Sequence, residues 1–166
     1  MTLDTLDTPK GQTETPISNM LLFKLSGEMF GIAVVCVNEI LDPIKMTQVP
    51  NASEFVPAVI NVRGSIVPLI DVRKRLLMPP QRPSPDIRFV VLELMIEDTL
   101  TKVAIAADEV SQVIDTAALN LERIPELGAR WPRDFVNGVI RHGDNLVVIL
   151  NSENLFRPDP ANEKSV

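Results

Sequence analysis

Short apolar runs recur along the chain between polar turns, and this pattern predicts a protein made mainly of β-strands. The runs are rich in Val and Ile, which favours strands over helices. Turn residues separate them, for example Ser-Gly-Glu at 26–28 and Gly-Asp at 143–144. The predicted strand segments are Leu21–Leu25, Phe30–Val37, Val59–Val62, Ile66–Ile70, Phe89–Leu94, Val103–Ala107, Val136–Ile140 and Leu146–Leu150.

Helical signals are few and short. Asp71 precedes VRKRLLM, and Asn151 precedes SENLF. Both residue types cap helix N-termini, so each predicts a short helix that begins at the next residue. The prolines at 79–80 end the first of these helices.

The chain also resembles itself, which predicts two similar β-units. The aligned pairs are 55–71 with 135–151, 30–41 with 103–114, and 21–25 with 90–94. The alternative is chance similarity among Val- and Ile-rich strands, because identities are few. Units this small cannot leave a sheet edge and an apolar face open, so we expect two small barrels packed on one another.

Apolar content divides the chain into a folded domain and two tails. The tails are poor in apolar residues, and we expect them to be mobile. The proline-rich stretch 79–86 is expected to connect the two units. The predicted boundaries are 1–18 for the N-terminal tail, 19–157 for the domain, roughly 20–84 and 86–157 for its two barrels, and 158–166 for the C-terminal tail.

Composition and charge exclude several classes of function. The net charge of −6 and the 4% aromatic content disfavour general binding to nucleic acid or to anionic membranes. No apolar stretch is long enough to span a bilayer, and the N-terminal residues lack the pattern of a signal peptide. We therefore expect a cytoplasmic protein without direct membrane insertion.

Catalytic and metal-binding chemistry has little support in the residues present. Cys36 is the only cysteine and His142 the only histidine, so an internal disulfide and a structural zinc site are excluded. A Cys–His nucleophile pair would need these two residues together. The glycines build no phosphate-binding loop, and no G-x-S-x-G elbow occurs. We expect no enzyme, no metal and no cofactor.

Two charged residues and one tryptophan stand out against this background. Arg63 precedes Gly64 in a predicted tight turn, which presents its side chain to solvent. Glu39 lies between apolar residues in VNEIL. Each is interpreted either as a solvated surface residue or as a contact for a partner. Trp131 is interpreted as a loop anchor or as an interface residue.

Several segments of the chain resemble the CheW-like domain family. NVRGSIVPLIDVRKRL resembles the family signature N-L-R-G-x-I-V-P-I-V-D-L-R. MFGIAVVCVNEIL and VAIAADEVSQVI resemble its Y-G-I-x-I-x-x-V-x-E-I and V-G-I-x-V-D-x-V-x-x-V segments. FVNGVIRHGDNLVVILNSENLF resembles its closing hairpin and helix. The match runs from about residue 20 to 156, with Met29 in place of the usual aromatic residue.

The resemblance implies a fold of two intertwined five-stranded SH3-like barrels that exchange strands, with a few short helices. It also implies a free-standing adaptor, because no phosphotransfer, ATPase or receiver segment accompanies the domain. Such adaptors couple the signalling tips of chemoreceptors (methyl-accepting chemotaxis proteins) to the regulatory domain of the histidine kinase CheA. They also form rings with that regulatory domain, and with copies of themselves, in receptor arrays at the inner membrane.

The site residues implied by the resemblance form two groups. The receptor tip would lie in an apolar groove between the barrels, with an acid and an arginine paired near it. The kinase would face the Ile32–Val34 edge of the first barrel and the 121–127 loop of the second. The receptor-binding residues are Val37, Glu39, Ala58, Val59, Arg63, Phe89 and Val110, and the kinase-binding residues are Ile32, Val34 and Leu127.

Three other hypotheses remain open. The same coupling role could serve pilus-driven motility or another chemosensory pathway. A small β-barrel that acts as an enzyme or binds a ligand would need a polar cavity between the barrels. An RNA-binding barrel would use four cations, namely Arg63, Arg73, Lys74 and Arg75.

Overall fold

The computed structural model describes residues 19–51, 55–80, 82, 84–123 and 130–157. These residues form strands joined by tight turns and a few single-turn helices. In chain order the elements are β1 Asn19–Leu25, β2 Glu28–Ala33, a 3-10 helix Val34–Cys36, β3 Val37–Leu41, β4 Met46–Gln48, β5 Ala58–Val62, β6 Ser65–Ile70, α1 Val72–Arg75, β7 Arg88–Ile96, β8 Thr99–Ala107, β9 Glu109–Asp115, a 3-10 helix Arg133–Phe135, β10 Val136–His142, β11 Asn145–Leu150 and α2 Ser152–Leu155.

Every predicted strand segment is present, with two differences. The run 30–37 is interrupted by the 3-10 helix, so it supplies the end of β2 and the start of β3. Strands β4 and β9 were not predicted, because most of their residues are exposed and neither carries a continuous apolar run. Both predicted helices form behind their caps: the Asp71 side chain accepts from the Arg73 amide, and Asn151 accepts from the Asn154 amide. The first helix ends at Arg75, so it is shorter than predicted and stops before the prolines at 79–80.

The strands form two curled sheets, and each sheet combines both halves of the sequence. Sheet A has the order β10-β11-β2-β1-β9. Sheet B has the order β3-β7-β8-β6-β5-β4. Hairpin β1–β2 therefore pairs with strands of the second half, and hairpin β7–β8 pairs with strands of the first half. The mainly β fold of two intertwined barrels is confirmed.

The two sheets repeat one another in register as well as in order. The parallel pair Leu69↔Ala104 in sheet B corresponds to Ile149↔Gly31 in sheet A, at the offsets seen in the sequence. The amide of Asp71 donates to the Phe55 carbonyl at 2.9 Å. The amide of Asn151 donates to the Phe135 carbonyl at the same distance. The self-similarity of the sequence is therefore a structural repeat.

Three hydrophobic clusters follow from this exchange. One cluster fills barrel A, one fills barrel B, and the largest lies between the two sheets. In β1, Leu22 faces the interior of barrel A, whereas the adjacent Leu21 and Phe23 face the central cluster. Successive strand residues point to opposite faces, so both exchanged hairpins are buried on both sides. This double burial explains why β1 and β7 are almost continuously apolar.

One hairpin departs from the repeat. Strands β7 and β8 have nine residues each, whereas β1 has seven and β2 has six. The added residues extend the hairpin to a turn at Glu97 and Asp98, whose φ angles are +50° and +65°. Met95 and Leu100 lie directly opposite each other in this extension, and both are exposed.

Candidate partner-binding surface

A bulge in β3 directs neighbouring residues to different surfaces. Val37 lies opposite Leu92 of β7, and after a register shift Glu39 lies opposite Val91. Directly opposed residues of antiparallel strands share a face. Leu92 belongs to the central cluster and Val91 to the interior of barrel B. The bulge therefore turns Val37 toward the space between the barrels and Glu39 toward the mouth of barrel B.

Strand β9 repeats this bulge on the other barrel. Val110 lies opposite Phe23, and after the same shift Gln112 lies opposite Leu22. Phe23 belongs to the central cluster and Leu22 to the interior of barrel A. Val37 and Val110 are both half-buried and both pack against the central cluster. They are therefore equivalent residues at equivalent sheet edges.

Two further aliphatic residues extend this surface, and the sequence reasoning missed them. Ile40 lies opposite Val90, and Val113 lies opposite Leu21; both partners belong to the central cluster. Because Ile40 and Val113 stand on edge strands, they remain 43% and 54% exposed. The repeat of 30–41 in 103–114 pairs the two positions and would have identified them. We call Val37, Ile40, Val110 and Val113 the seam residues.

A charged pair lies at the mouth of barrel B. Arg63 and Gly64 form the β5–β6 turn with φ angles of +51° and +87°. Arg63 Nη1 lies 2.7 Å from Glu39 Oε2, and the two side chains are 76% and 16% exposed. Strands β3 and β5 are not neighbours in sheet B, so this pair connects strands that share no backbone hydrogen bonds. The structure thus brings together Arg63 and Glu39, the two charged residues singled out in the sequence.

A pair formed by an amide and an imidazole occupies the corresponding place on barrel A. Gln112 is the counterpart of Glu39, and its Nε2 lies 3.3 Å from His142 Nε2. This pair connects β9 to β10, which lie at opposite edges of sheet A. Both barrel mouths are thus bridged, one by an ion pair and one by an amide–imidazole contact.

Three of the predicted contact residues belong to the core instead. Ala58 and Phe89 are 3% and 2% exposed and pack inside barrel B. Ile32 is fully buried in the central cluster, because β2 lies between β1 and β11 and is not an edge strand. The expectation that these side chains line an open surface is therefore corrected.

The remaining predicted residues occupy intermediate or undescribed positions. Val59 is half-buried on the outer face of β5, opposite Pro68 of β6. Val34 is half-buried against the central cluster, whereas the adjacent Val35 is 90% exposed. Leu127 and both predicted tails lie outside the described residues.

The basic cluster after β6 is engaged within the protein. Arg73 Nε donates to Ser26 Oγ at 3.0 Å, and its guanidinium pairs with Asp108. The Arg75 guanidinium lies 3.8 Å from the centre of the Phe55 ring. With Arg63 paired to Glu39 as well, three of the four cations of the RNA hypothesis already have partners. This arrangement disfavours RNA binding.

The space between the barrels disfavours a ligand-binding or catalytic cavity. It is filled by the aliphatic and aromatic side chains of the central cluster, with Trp131 packed edge-on against Phe30 at 6.3 Å between ring centres. Within the described ranges, no three His, Cys, Asp or Glu side chains are grouped so as to hold a metal ion. In that same part of the chain, no helix has the length and apolar character to cross a membrane.

The fold and this surface define a double SH3-like-barrel protein whose accessible features are apolar strand edges and a rim ion pair. The chain belongs to the CheW-like domain family, whose family model matches residues 19–159. It is 30% identical to the chemotaxis protein CheW of Klebsiella aerogenes, covering 86% of this chain and 84% of that protein. It is 28% identical to the chemotaxis protein CheW of Bacillus subtilis, covering 80% and 83%.

A solved structure shows the same fold. The crystal structure of the scaffolding protein TtCheW from Thermoanaerobacter tengcongensis superposes with a TM-score of 0.73 at 25% sequence identity. The superposition covers 91% of this chain and 95% of that protein. The similarity therefore extends over both barrels.

Proposed function

We propose that this protein is a non-enzymatic signalling adaptor that couples the cytoplasmic tips of chemoreceptors to the histidine kinase CheA. In this role it acts in the cytoplasm and joins receptor–kinase arrays at the inner membrane. The seam residues carry the proposal, because they present an accessible apolar surface on a rigid scaffold whose interior is closed. Adaptors need such surfaces, whereas enzymes need a cleft.

The seam fits an α-helix of the receptor tip. Val37 and Val110 pack against the central cluster, and Ile40 and Val113 are exposed on the same two edge strands. A helix that lays an apolar face into a groove uses aliphatic contacts of this kind. The Glu39–Arg63 pair would stand at the rim, where a charge contributes more to orientation than to affinity.

A second surface is proposed for the kinase regulatory domain. Val35 is almost completely exposed at the 3-10 helix that begins with Val34. On the other barrel, Leu121 is exposed at the start of the predicted 121–127 segment. Leu127 remains a predicted contact in this segment. Two separate weak surfaces allow one adaptor to connect two partners in a repeating array.

Co-sedimentation with receptor-containing membranes tests the receptor surface. Ile40→Asp and Val113→Asp each place a carboxylate on an exposed seam position. Docking of the helix would remove water from this unpaired charge, and the cost would weaken binding. We expect both variants to lose receptor binding while keeping the circular dichroism spectrum of the parent. Leu100→Asp is the matched control, since it changes an exposed aliphatic residue away from the seam. Normal receptor binding by both folded seam variants would reject the seam as the receptor site.

A further inference from the structure

The β7–β8 hairpin continues past the strand pairing on either side of it. Among the described strands, β3 pairs with β7 only as far as Leu92, and β6 pairs with β8 only at Ala104 and Ile105. Residues 93–102 therefore pair only with each other, and we call this segment the ribbon. A two-stranded ribbon is at most marginally stable in water by itself, so a contact that covers one of its faces would stabilise it.

One face of the ribbon carries an exposed aliphatic pair. Met95 and Leu100 lie directly opposite each other and are 57% and 61% exposed. Alternate residues of a strand share a face, so Met95 lies on the face of Val91, which points into barrel B. Leu92 and Leu94 point to the other face and belong to the central cluster, against which the seam residues pack. A receptor helix in the seam therefore leaves the aliphatic pair uncovered.

The turn of the ribbon places acidic residues in a conformation that other residues adopt more easily. Glu97 and Asp98 have φ angles of +50° and +65°, whereas Asn-Gly is the sequence that fits two successive positive φ angles best. Such sparsely populated conformations are concentrated at functional sites. Both side chains are exposed, and Glu93 lies opposite Lys102, so the turn adds two negative charges beyond that pair. The ribbon thus fits a partner surface that combines aliphatic side chains with lysine or arginine.

We propose that the ribbon docks on the regulatory domain of the histidine kinase CheA, with its aliphatic pair in the contact and its two turn acids at the rim. The proposal rests on the proposed function and extends the kinase surface that includes Val35. The 3-10 helix that carries Val35 contacts β7 and directly precedes Val37, the partner of Leu92. This helix therefore lies where the ribbon begins, on the strand that the ribbon continues.

Calorimetric titration of the full chain with full-length CheA tests the aliphatic pair. Leu100→Asp places a carboxylate in the contact, and we expect it to lower the affinity for the kinase at least about tenfold. Leu146→Asp is the matched control, because Leu146 is 54% exposed and lies on β11 of the other sheet. We expect this control to keep the affinity of the parent. Leu100→Asp should also keep its binding to the receptor tip.

Replacing both turn acids tests the rim without risk to the fold. Glu97→Asn with Asp98→Gly removes two charges and relieves the turn, so this variant should be more stable than the parent. Its affinity for the kinase should nevertheless fall about threefold to tenfold, as expected for the loss of two exposed ion pairs. The difference from the parent should decrease as the salt concentration rises. A purely structural role of the turn would instead leave the affinity unchanged or raise it with stability.

Parent affinity for the kinase in both ribbon variants would overturn the proposal, and the proposed function would stand because the kinase still binds. Failure of the kinase to bind the parent chain would reject both. Loss of receptor binding by folded Leu100→Asp would assign the pair to the receptor and overturn the proposal. A parent chain that sediments as a dimer, and becomes a monomer on Leu100→Asp, would assign the ribbon to a second copy and overturn it as well.

Discussion

Replacing Arg73 with alanine is expected to lower the free energy of unfolding by about 3 kcal/mol, because a partly buried charge network loses its cation. Arg73 Nε donates to Ser26 Oγ at 3.0 Å, and the guanidinium also pairs with Asp108. The Arg73 and Asp108 side chains are only 17% and 16% exposed. The network joins α1 to the β1–β2 turn and to the start of β9, segments that come from both halves of the chain.

The magnitude follows from the bonds that are lost. A hydrogen bond to a charged group contributes about 1.5–3 kcal/mol, and Arg73 makes two such contacts. Asp108 would keep one donor, the Ser26 amide at 2.7 Å, so its carboxylate is not left without a partner. Because this bond remains, we expect the loss in the free energy of unfolding to lie near the lower end of the range for two hydrogen bonds to a charged group. Arg63 differs, because an exposed ion pair contributes about 0–1 kcal/mol to stability.

Urea unfolding followed by the fluorescence of Trp131 measures both effects. Trp131 is the only tryptophan and packs against Phe30 of the core. For a protein of this size, 3 kcal/mol corresponds to a decrease in Tm of roughly 6–12 °C. Arg73→Lys is the matched variant, since it keeps the charge but cannot reach both acceptors in a fixed fork. We expect its stability to lie between those of the parent and Arg73→Ala.

Two results would refute this reasoning. An Arg73→Ala variant within about 0.5 kcal/mol of the parent would show that the network contributes no more than an average surface contact. An Arg63→Ala variant as unstable as Arg73→Ala would show that exposure does not separate the two arginines. The unfolding slope should be unchanged in all variants, because the area exposed on unfolding is the same.

Three further substitutions have defined expectations. Replacing Glu97 and Asp98 together by Asn-Gly should raise the free energy of unfolding by about 1 kcal/mol, since these residues tolerate the positive φ of the turn, and the urea midpoint should rise accordingly. Gly138→Ala should cost about 1–3 kcal/mol. The new methyl group would lie 2.6 Å from the Glu122 carbonyl oxygen, so exchange of the Glu122 amide should accelerate, and unchanged exchange would contradict the clash. Phe23→Ala should cost about 3–5 kcal/mol as a fully buried core residue, and a calorimetric loss below 1 kcal/mol would argue against the central cluster.

The candidate site was only partly predictable from the sequence. The Arg63 turn could be predicted because Gly64 and the flanking strands define it locally. The pairing of Arg63 with Glu39 was implied by the family resemblance. Burial of Ala58 and Phe89 was not predictable, since alternation along a strand shows that two faces differ but not which face lies inside a barrel. Ile40 and Val113 were missed because the bulges shift the alternation at those points.

The sequence by itself determined most of the strands, their turns and the two capped helices, because each depends on residues close together in the chain, and self-alignment of the sequence indicated the twofold repeat. Only the tertiary structure decided that β1–β2 joins the second half and β7–β8 the first. The two hairpins have equivalent patterns of apolar residues, so their local interactions would be similar in either sheet. The sequence therefore does not indicate which sheet each hairpin joins. The long-range contacts of the central cluster and the Arg73–Asp108 network exist only in the assembled fold, and they decide which surfaces remain exposed to a partner.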